Sequence, residues 1–142
     1  MRREETQLSS SSEKTLLIVD DETINQAILS NIFQSEFQIT KAEDGVAGLA
    51  AIEKYAQSLS AVLLDVIMPR MNGLEVLRRL HQLDLLRTIP VFLITVDMDS
   101  TTMRESYELG VMDVIFKPVV PYMVRRRVNS VVELFQARRK LG

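Results

Sequence analysis

Short apolar runs alternate along the chain with longer segments in which apolar residues recur every three or four positions. The runs lie at Leu16–Val19, Phe37–Thr40, Ala61–Leu64, Val91–Ile94 and Val114–Phe116. Four of them are continuously apolar, which is typical of parallel strands covered on both faces. The second run mixes polar and apolar residues, which fits an edge strand. The pattern therefore predicts five strands.

A helical pattern follows each run. The apolar positions of four of these helices are Ile24, Ile28 and Ile32, then Val46, Leu49 and Ile52, then Leu74, Leu77 and Leu80, and after Pro121 Val124, Val128, Val131 and Phe135. Asp21 is a suitable N-cap for the first helix. Asp99 or Ser100 suits the start of the fourth, which runs to Leu109 and ends at Gly110. Strand–helix alternation of this kind predicts an α/β fold, with a parallel sheet covered by helices on both faces.

Composition narrows the class of protein without naming a function. The 142 residues are 46% hydrophobic and 25% charged, as in one soluble domain, and they include no cysteine. No apolar run is long enough to span a membrane, and we expect a cytoplasmic protein. The net charge of −2 gives no general attraction to nucleic acid. Residues 1–14 are polar and serine-rich, so we expect a disordered tail before a domain at 15–142.

Polar residues stand where the predicted strands end. Asp20 and Asp21 follow the first strand, Asp65 the third, Thr95 the fourth and Lys117 the fifth. The carboxyl ends of parallel strands share one edge of a sheet, which is where such sheets bind ligands. Three carboxylates together repel one another unless a cation intervenes, and an all-oxygen set selects Mg²⁺ before Zn²⁺. With the lysine to pair with a phosphoryl oxygen, these groups suit phosphoryl transfer to a carboxylate.

The order and spacing of these residues resemble the receiver domain of two-component response regulators. The resemblance includes Asp20-Asp21, Asp65 with Met68-Pro69 and Gly73, Thr95, and Lys117-Pro118, and it covers about residues 15–138. It implies a flavodoxin-like doubly wound (βα)5 fold with the sheet order 2-1-3-4-5. It also implies a place in a phosphorelay and a cis peptide bond between Lys117 and Pro118.

The resemblance assigns a role to each site residue. Asp65 would accept a phosphoryl group from the phosphohistidine of a histidine kinase or histidine phosphotransfer protein, becoming an aspartyl phosphate that switches a protein-interaction surface. Asp21, Asp65 and the backbone carbonyl of Ile67 would bind Mg²⁺ directly, and Asp20 would help through water. Lys117 would pair with the phosphoryl group, and Thr95 would hydrogen-bond it.

Two positions depart from the family pattern. Val96 follows the threonine where the family usually has a small residue, and Val114 stands where it usually has an aromatic one. A valine has no ring to turn inward, and its rotamers are stiff. Phe116 lies on the same strand face as Val114 and is a candidate substitute. Alternatively, Val96 and Val114 are ordinary core residues and backbone shifts carry the output.

Several further expectations concern partners and activity. Asp113 and Arg127 match positions that pair in the family, which suggests a homodimer through the fourth helix, fifth strand and fifth helix. We expect no direct DNA binding, no output domain within this chain, and no enzyme beyond self-dephosphorylation. A phosphatase of the haloacid dehalogenase type is disfavoured because Ile67 stands where that family has a second aspartate. A binding or dimerisation module with atypical or no phospho-switching is the main alternative, and Val96 and Val114 favour it.

Overall fold

Strands and helices alternate five times in the computed structural model, which describes residues 14–96 and 98–141. The elements are β1 (Thr15–Val19), α1 (Thr23–Phe33), β2 (Gln38–Ala42), α2 (Gly45–Tyr55), β3 (Leu59–Leu64), α3 (Gly73–Gln82), β4 (Val91–Thr95), α4 (Ser100–Leu109), β5 (Asp113–Phe116) and α5 (Pro121–Leu141). The predicted tail lies outside the described residues except for Lys14. No helix within the described ranges is long and apolar enough to cross a membrane.

The sheet has the order β2-β1-β3-β4-β5, and its strands pair in parallel. The predicted fold class is therefore confirmed. Strand register matters most for function, because it decides which residues meet beyond the strand ends. Val19 pairs with Leu64, so Asp20 and Asp65 follow side by side. Thr95 pairs with Phe116, so Lys117 follows immediately beyond the end of β4.

Two apolar clusters, one on each face of the sheet, form the core. Alternate residues of β1 point to opposite faces, with Leu17 and Val19 in one cluster and Leu16 and Ile18 in the other. The first cluster packs against α2, α3 and α4, and the second against α1 and α5. Continuous apolar strands are thus covered on both sides, as their sequences predict.

The buried face of α1 differs from the prediction. Ile24 is 69% exposed and Ile28 is also exposed, whereas Gln26, Leu29 and Phe33 are buried. Both sets have helical spacing, so periodicity alone does not separate them. The Gln26 amide is buried on the same face as Leu29 and Phe33 and donates a 2.7 Å hydrogen bond to the Asp20 carbonyl. The N-cap of α1 is residue 22, not Asp21, and it makes no side-chain capping bond.

Smaller differences occur in α2 and α5. In α2, Gly45 and Gly48 are buried and Val46 is exposed. Gly45 faces the turn before α3, where any side chain would collide with the backbone of that turn. In α5 the fully buried position is Val132, and Val131 is only partly covered. Asp99 caps α4 through the Thr102 amide, and Gly110 ends that helix with φ of 115°, as predicted.

Candidate functional site

Two buried carboxylates lie side by side where β1 and β3 end. The Asp65 amide donates to the Val19 carbonyl at 2.9 Å, and the Asp20 amide donates to the Ala42 carbonyl at 3.1 Å. These bonds extend the strand ladders by one residue and fix both backbones. Asp65 is only 7% exposed and Asp20 is buried, whereas Asp21 points into solvent. The predicted acidic cluster is therefore present, and its members differ in burial.

Lys117 joins the two buried carboxylates. Its Nζ lies 3.0 Å from Asp20 Oδ2 and 3.5 Å from Asp65 Oδ2. The Lys117 amide donates to the Thr95 carbonyl at 2.8 Å, and the Lys117–Pro118 peptide is cis, as the resemblance implies. The second oxygen of each carboxylate accepts a hydrogen bond from a backbone amide. The Val66 amide donates to Asp65 Oδ1 at 2.8 Å, and the Glu22 amide donates to Asp20 Oδ1 at 2.9 Å.

The electrostatics of the site favour a cation. Burial raises the pKa of Asp65 most, and the charge of Asp20 raises it further, while Lys117 and the Val66 amide lower it by less. For Lys117, burial is the largest single influence and lowers its pKa. The hydrogen bond to Asp20 and the two carboxylate charges together outweigh burial, so the pKa of Lys117 is raised. The positive charge of Lys117 therefore does not fully compensate the negative charges of Asp20 and Asp65, and Asp21 adds a third, so the site attracts a further cation.

The carboxylates can share one ion. Asp20, Asp21 and Asp65 each offer an oxygen, and these three oxygens lie within 4.8 Å of one another. Oxygen donors of this charge fit a hard divalent cation, and Asp21 leaves one side of the cluster open to solvent. The donor set thus fits the predicted magnesium site.

The turn between β3 and α3 holds Asp65 from the other side. The Gly73 amide donates to the Val66 carbonyl at 2.8 Å, and a side chain at Gly73 would collide with the Asp65 carbonyl oxygen. Asn72 and Glu75 form a capping box that starts α3. Ile67, whose carbonyl is a predicted ligand, has an exposed side chain. The segment from Val66 to Gly73 therefore forms a tightly packed turn that supports Asp65.

The residues expected to transmit a switch are split between core and surface. Thr95 is fully buried and Val114 is buried in the core beneath α4. Val96 is 62% exposed, so its prediction as a core residue is wrong, because the chain leaves the sheet at that position. Phe116 is partly exposed and pairs in register with Thr95. An aromatic ring is thus adjacent to the threonine, two positions beyond the usual one.

An apolar-walled pocket of about 510 Å³ opens above Asp65 and Lys117. Its apolar walls are Ile28, Leu29, Ile67, Ile94, Val96, Pro118 and Val119. Neither this pocket nor the hydrogen bond of Gln26 was predicted from the sequence. The signal for the pocket was available in Ile28 and Ile67, which are large apolar residues close to a polar strand end, but helix periodicity assigned Ile28 to the core.

Asp113 and Arg127 pair within one chain. Their side chains approach to 3.4 Å, and the Tyr107 hydroxyl lies 3.2 Å from Asp113 Oδ1. The Val114 amide, which points away from the sheet, lies 2.9 Å from Asp113 Oδ1 and 3.3 Å from the Tyr107 hydroxyl. The predicted pair therefore already has a structural function, because it satisfies the open edge of β5.

The fold and the site together define a doubly wound α/β domain with a magnesium-suited acidic pocket at its carboxyl edge. The family model of the response regulator receiver domain matches residues 16–129, and the chain belongs to this family. Receiver domains bind Mg²⁺ at this pocket and interact with histidine kinases or phosphotransfer proteins. The chain is therefore a signal-transduction domain of two-component systems.

Known proteins similar to the chain include enzymes, regulators and solved receivers. A probable cyclic di-GMP phosphodiesterase of Vibrio cholerae is 34% identical over 84% of this chain and 26% of its own length. The two-component response regulator ORR5 of Oryza sativa subsp. japonica is 30% identical over 82% of this chain and 87% of its own. The crystal structure of the CheX-CheY-BeF3-Mg+2 complex from Borrelia burgdorferi is 28% identical, covers 83% of this chain and 88% of the other, and has a TM-score of 0.77.

These relatives correct one expectation. The sequence predicted no enzyme, but three similar proteins, from Vibrio cholerae, Dictyostelium discoideum and Xanthomonas campestris, carry phosphodiesterase in their names. The prediction is therefore wrong as stated. The chain spans 26%, 17% and 32% of these three relatives. The physical reason is that a single acidic pocket does not indicate which activity a receiver domain controls.

Proposed function

We propose that Asp65 is the phosphoacceptor of this receiver domain and that Mg²⁺ binds between Asp20, Asp21, Asp65 and the Ile67 carbonyl. One observation carries the proposal: the Asp65 carboxylate is buried beside Lys117 at 3.5 Å, within 4.8 Å of two further carboxylates. A structural ion pair needs neither the third carboxylate nor an opening to solvent. Phosphoryl transfer needs both.

The residues divide the chemistry among them. An Asp65 oxygen attacks the phosphorus of a phosphohistidine; the new P–O bond forms as the P–N bond breaks, and the imidazole leaves with the electron pair of that bond. Lys117 turns from Asp65 to a phosphoryl oxygen and keeps its 3.0 Å contact with Asp20. Mg²⁺ held by Asp20, Asp21 and Asp65 would neutralise charge on the phosphoryl oxygens. The Val66 amide holds Asp65 Oδ1 in place, leaving Oδ2 on the side of Lys117.

The donor docks on the apolar walls of the pocket. Ile28, Ile67 and Val96 are exposed around Asp65, where a solvated site would carry polar groups. A phosphohistidine on an amphipathic helix presents aliphatic side chains beside the imidazole, and these would cover the walls. A histidine kinase or phosphotransfer protein, acting in the cytoplasm, fits this description.

The switch is proposed to work through Thr95 and Phe116. When Thr95 hydrogen-bonds the phosphoryl group, the space beside the Phe116 ring changes, because the two residues are cross-strand neighbours. Val114 is buried without a ring and stays in the core. The affected surface comprises α4, β5 and α5, through which a second copy or a target protein would bind.

A phosphodiesterase is the output that the relatives favour. Three relatives carry that activity in their names, and the shared part is a small fraction of each. We propose that the receiver controls a phosphodiesterase activity. Incubation of the chain with cyclic di-GMP and Mg²⁺, with and without acetyl phosphate, tests this proposal; hydrolysis at the same rate under both conditions would contradict it.

The phosphoacceptor proposal is tested by mass. Incubation with acetyl phosphate and Mg²⁺ should add one phosphoryl group to the intact chain, and borohydride reduction of the acyl phosphate followed by peptide mass spectrometry should place it on Asp65. Asp65→Asn should abolish the addition. Asp84→Asn, at an exposed aspartate in the loop after α3, is the matched control and should leave it unchanged. Absence of label on a folded wild-type chain would instead support the alternative, a binding module without phospho-switching. Rapid turnover of a phosphoester would support a phosphatase.

A further inference from the structure

The turn after β3 contains one residue in a strained backbone conformation. The Met71 amide donates a 2.8 Å hydrogen bond to the Pro69 carbonyl, which closes a three-residue turn with Arg70 at its centre. Arg70 has φ of 71°, in the left-handed region that residues other than glycine rarely adopt. A γ-turn of this hand is rare and strained. Such a conformation persists only where its surroundings hold it, and it often marks a functional site.

The first turn of α2 supplies an ion pair to this strained residue. Arg70 Nε lies 3.3 Å from Asp44 Oδ2. Asp44 Oδ1 accepts a 2.8 Å hydrogen bond from the Ala47 amide, so the same carboxylate is the N-cap of α2. The Asp44 side chain is 16% exposed and that of Arg70 is 62% exposed. The carboxylate is therefore the more firmly held partner, and it joins α2 to the turn.

A close backbone approach beside Asp44 keeps α2 and the turn together. A side chain at Gly45 would collide with the Met71 carbonyl oxygen, so α2 meets the turn with no side chain between them. Met68 is buried in the first apolar cluster, and Met71 packs against the same cluster. The turn thus rests on the core and on α2, and the ion pair adds a contact on its exposed side.

The strained turn lies in the same segment as a predicted ligand of Mg²⁺. The Ile67 carbonyl belongs to the segment that is closed by the 2.8 Å hydrogen bond from the Gly73 amide to the Val66 carbonyl. Arg70 follows Ile67 by three residues within that segment. Because both ends of the segment are fixed, a change of φ at Arg70 displaces the peptide groups between them, including the Ile67 carbonyl.

We propose that Asp44 and Arg70 are positioning residues for the magnesium site, and that their ion pair keeps the turn in the conformation that presents the Ile67 carbonyl to the ion. The inference rests on the proposed function, which places Mg²⁺ beside Asp65. Without the ion pair, Arg70 relaxes to negative φ in a fraction of the molecules, and only the others bind the ion at full strength. An exposed pair contributes little energy, so the expected loss of affinity is about threefold.

Two substitutions separate positioning from charge. Asp44→Asn keeps an oxygen for the Ala47 amide and removes the ion pair, and Arg70→Gln removes the pair from the other side. Isothermal titration calorimetry should show each variant binding Mg²⁺ about threefold more weakly than the wild type. Electrostatics alone predicts the opposite for Arg70→Gln, because loss of a positive charge favours a cation. An affinity of Arg70→Gln equal to or above that of the wild type would therefore overturn the proposal.

Arg70→Gly tests whether the backbone conformation matters. It removes the same charge as Arg70→Gln, but glycine adopts a positive φ without steric cost. Its turn no longer needs the ion pair, so it should bind Mg²⁺ like the wild type, and adding Asp44→Asn should weaken binding much less than in the wild-type background. Asp44→Asn combined with Arg70→Gln should bind about as weakly as either single variant, because both remove one contact. Equal Mg²⁺ affinity of Arg70→Gly and Arg70→Gln would refute the proposal.

Asp84→Asn is the matched control. Asp84 pairs with Arg87 at 3.0 Å on the surface and also has a positive φ, 58°, but it lies in the loop before β4, at the opposite edge of the sheet. Its substitution should leave the affinity for Mg²⁺ unchanged, and an equal loss there would contradict the positioning role. A wild-type chain that binds no Mg²⁺ would overturn the proposed function and this inference with it. A wild-type chain that binds Mg²⁺ no better than Asp44→Asn and Arg70→Gln would overturn this inference alone.

Discussion

Asp65→Asn should stabilise the chain when no divalent ion is present. The substitution keeps the size of the side chain and an oxygen that can accept the 2.8 Å bond from the Val66 amide. It removes one negative charge from a buried position beside Asp20. Lys117 loses its 3.5 Å ion pair with Asp65 and keeps its shorter contact, 3.0 Å, to Asp20. Replacing this residue at the centre of the site should therefore raise the free energy of unfolding.

The magnitude follows from opposing interactions of similar size. At the 4.8 Å limit, repulsion between Asp65 and Asp20 is about 3.5 kcal/mol with an effective dielectric constant of about 20. Attraction to Lys117 at 3.5 Å is about 5 kcal/mol on the same scale. The repulsion from Asp20 and the attraction to Lys117 largely offset each other. The lost hydration of the buried carboxylate therefore decides whether Asp65→Asn raises or lowers the free energy of unfolding. We expect the free energy of unfolding to rise by about 1–2 kcal/mol in Asp65→Asn at neutral pH.

The pH dependence has a definite sign. Burial, and then the charge of Asp20, holds the pKa of Asp65 in the folded chain above its value in the unfolded chain. The folded state therefore retains a proton that the unfolded state has released. This contribution to stability is fully present below the unfolded pKa and is lost as pH rises through the folded pKa. The stability advantage of Asp65→Asn should grow over that same interval and then level off.

Urea unfolding followed by circular dichroism measures the effect with and without excess Mg²⁺. Saturating the site at about 100 times its dissociation constant would stabilise the wild type by roughly 2.7 kcal/mol, and Asp65→Asn should gain much less. Asp99→Asn is the control, because either residue caps α4 and the change should stay within about 0.5 kcal/mol. The reasoning fails if Asp65→Asn is no more stable than the wild type without Mg²⁺.

Three further predictions concern the support of the site, and urea unfolding checks all of them. Gly73→Ala should lower the free energy of unfolding by about 1–3 kcal/mol and slow labelling by acetyl phosphate, because the new methyl group collides with the Asp65 carbonyl. Asn72→Ala should cost about 1 kcal/mol through loss of the α3 cap, and Asn72→Asp should cost nearly nothing. Lys117→Met should destabilise by about 3 kcal/mol at neutral pH by leaving Asp20 and Asp65 uncompensated, and Mg²⁺ should recover much of that loss.

The strands and the identity of the site could be predicted because they depend on local sequence. Continuous apolar runs specify strands covered on both faces, and parallel pairing brings their ends together without further information. Asp20, Asp65 and Lys117 therefore meet as expected. The sheet order required the family resemblance, because apolar runs do not say which strand lies next to which.

The orientation of α1 and the position of Val96 depended on tertiary contacts. Ile24 and Ile28 have the spacing of a buried stripe, but α1 instead buries Leu29, Phe33 and the Gln26 amide, which donates a 2.7 Å bond to the Asp20 carbonyl. Val96 is apolar and follows a buried strand, yet the chain has already left the sheet there. The periodicity of apolar residues does not indicate which residues a helix buries when a polar side chain is hydrogen-bonded on that face. It also does not indicate the residue at which a strand leaves the sheet.

The exposed apolar residues Ile28 and Val96 and the buried Asp65 carboxylate lie around one pocket, at the edge of the sheet where the proposed chemistry takes place. A buried Asp65 that repels its neighbour is a poor contributor to folding, and a bound cation would relieve the excess of negative charge that Asp20, Asp21 and Asp65 share. Ile28 and Val96 are exposed beside this carboxylate, and under the proposed function they would provide contact area for the phosphoryl donor. If the proposed function holds, binding of the cation and of the donor would recover the free energy that the domain forgoes at this edge of the sheet, which would account for the departures from the expected pattern there.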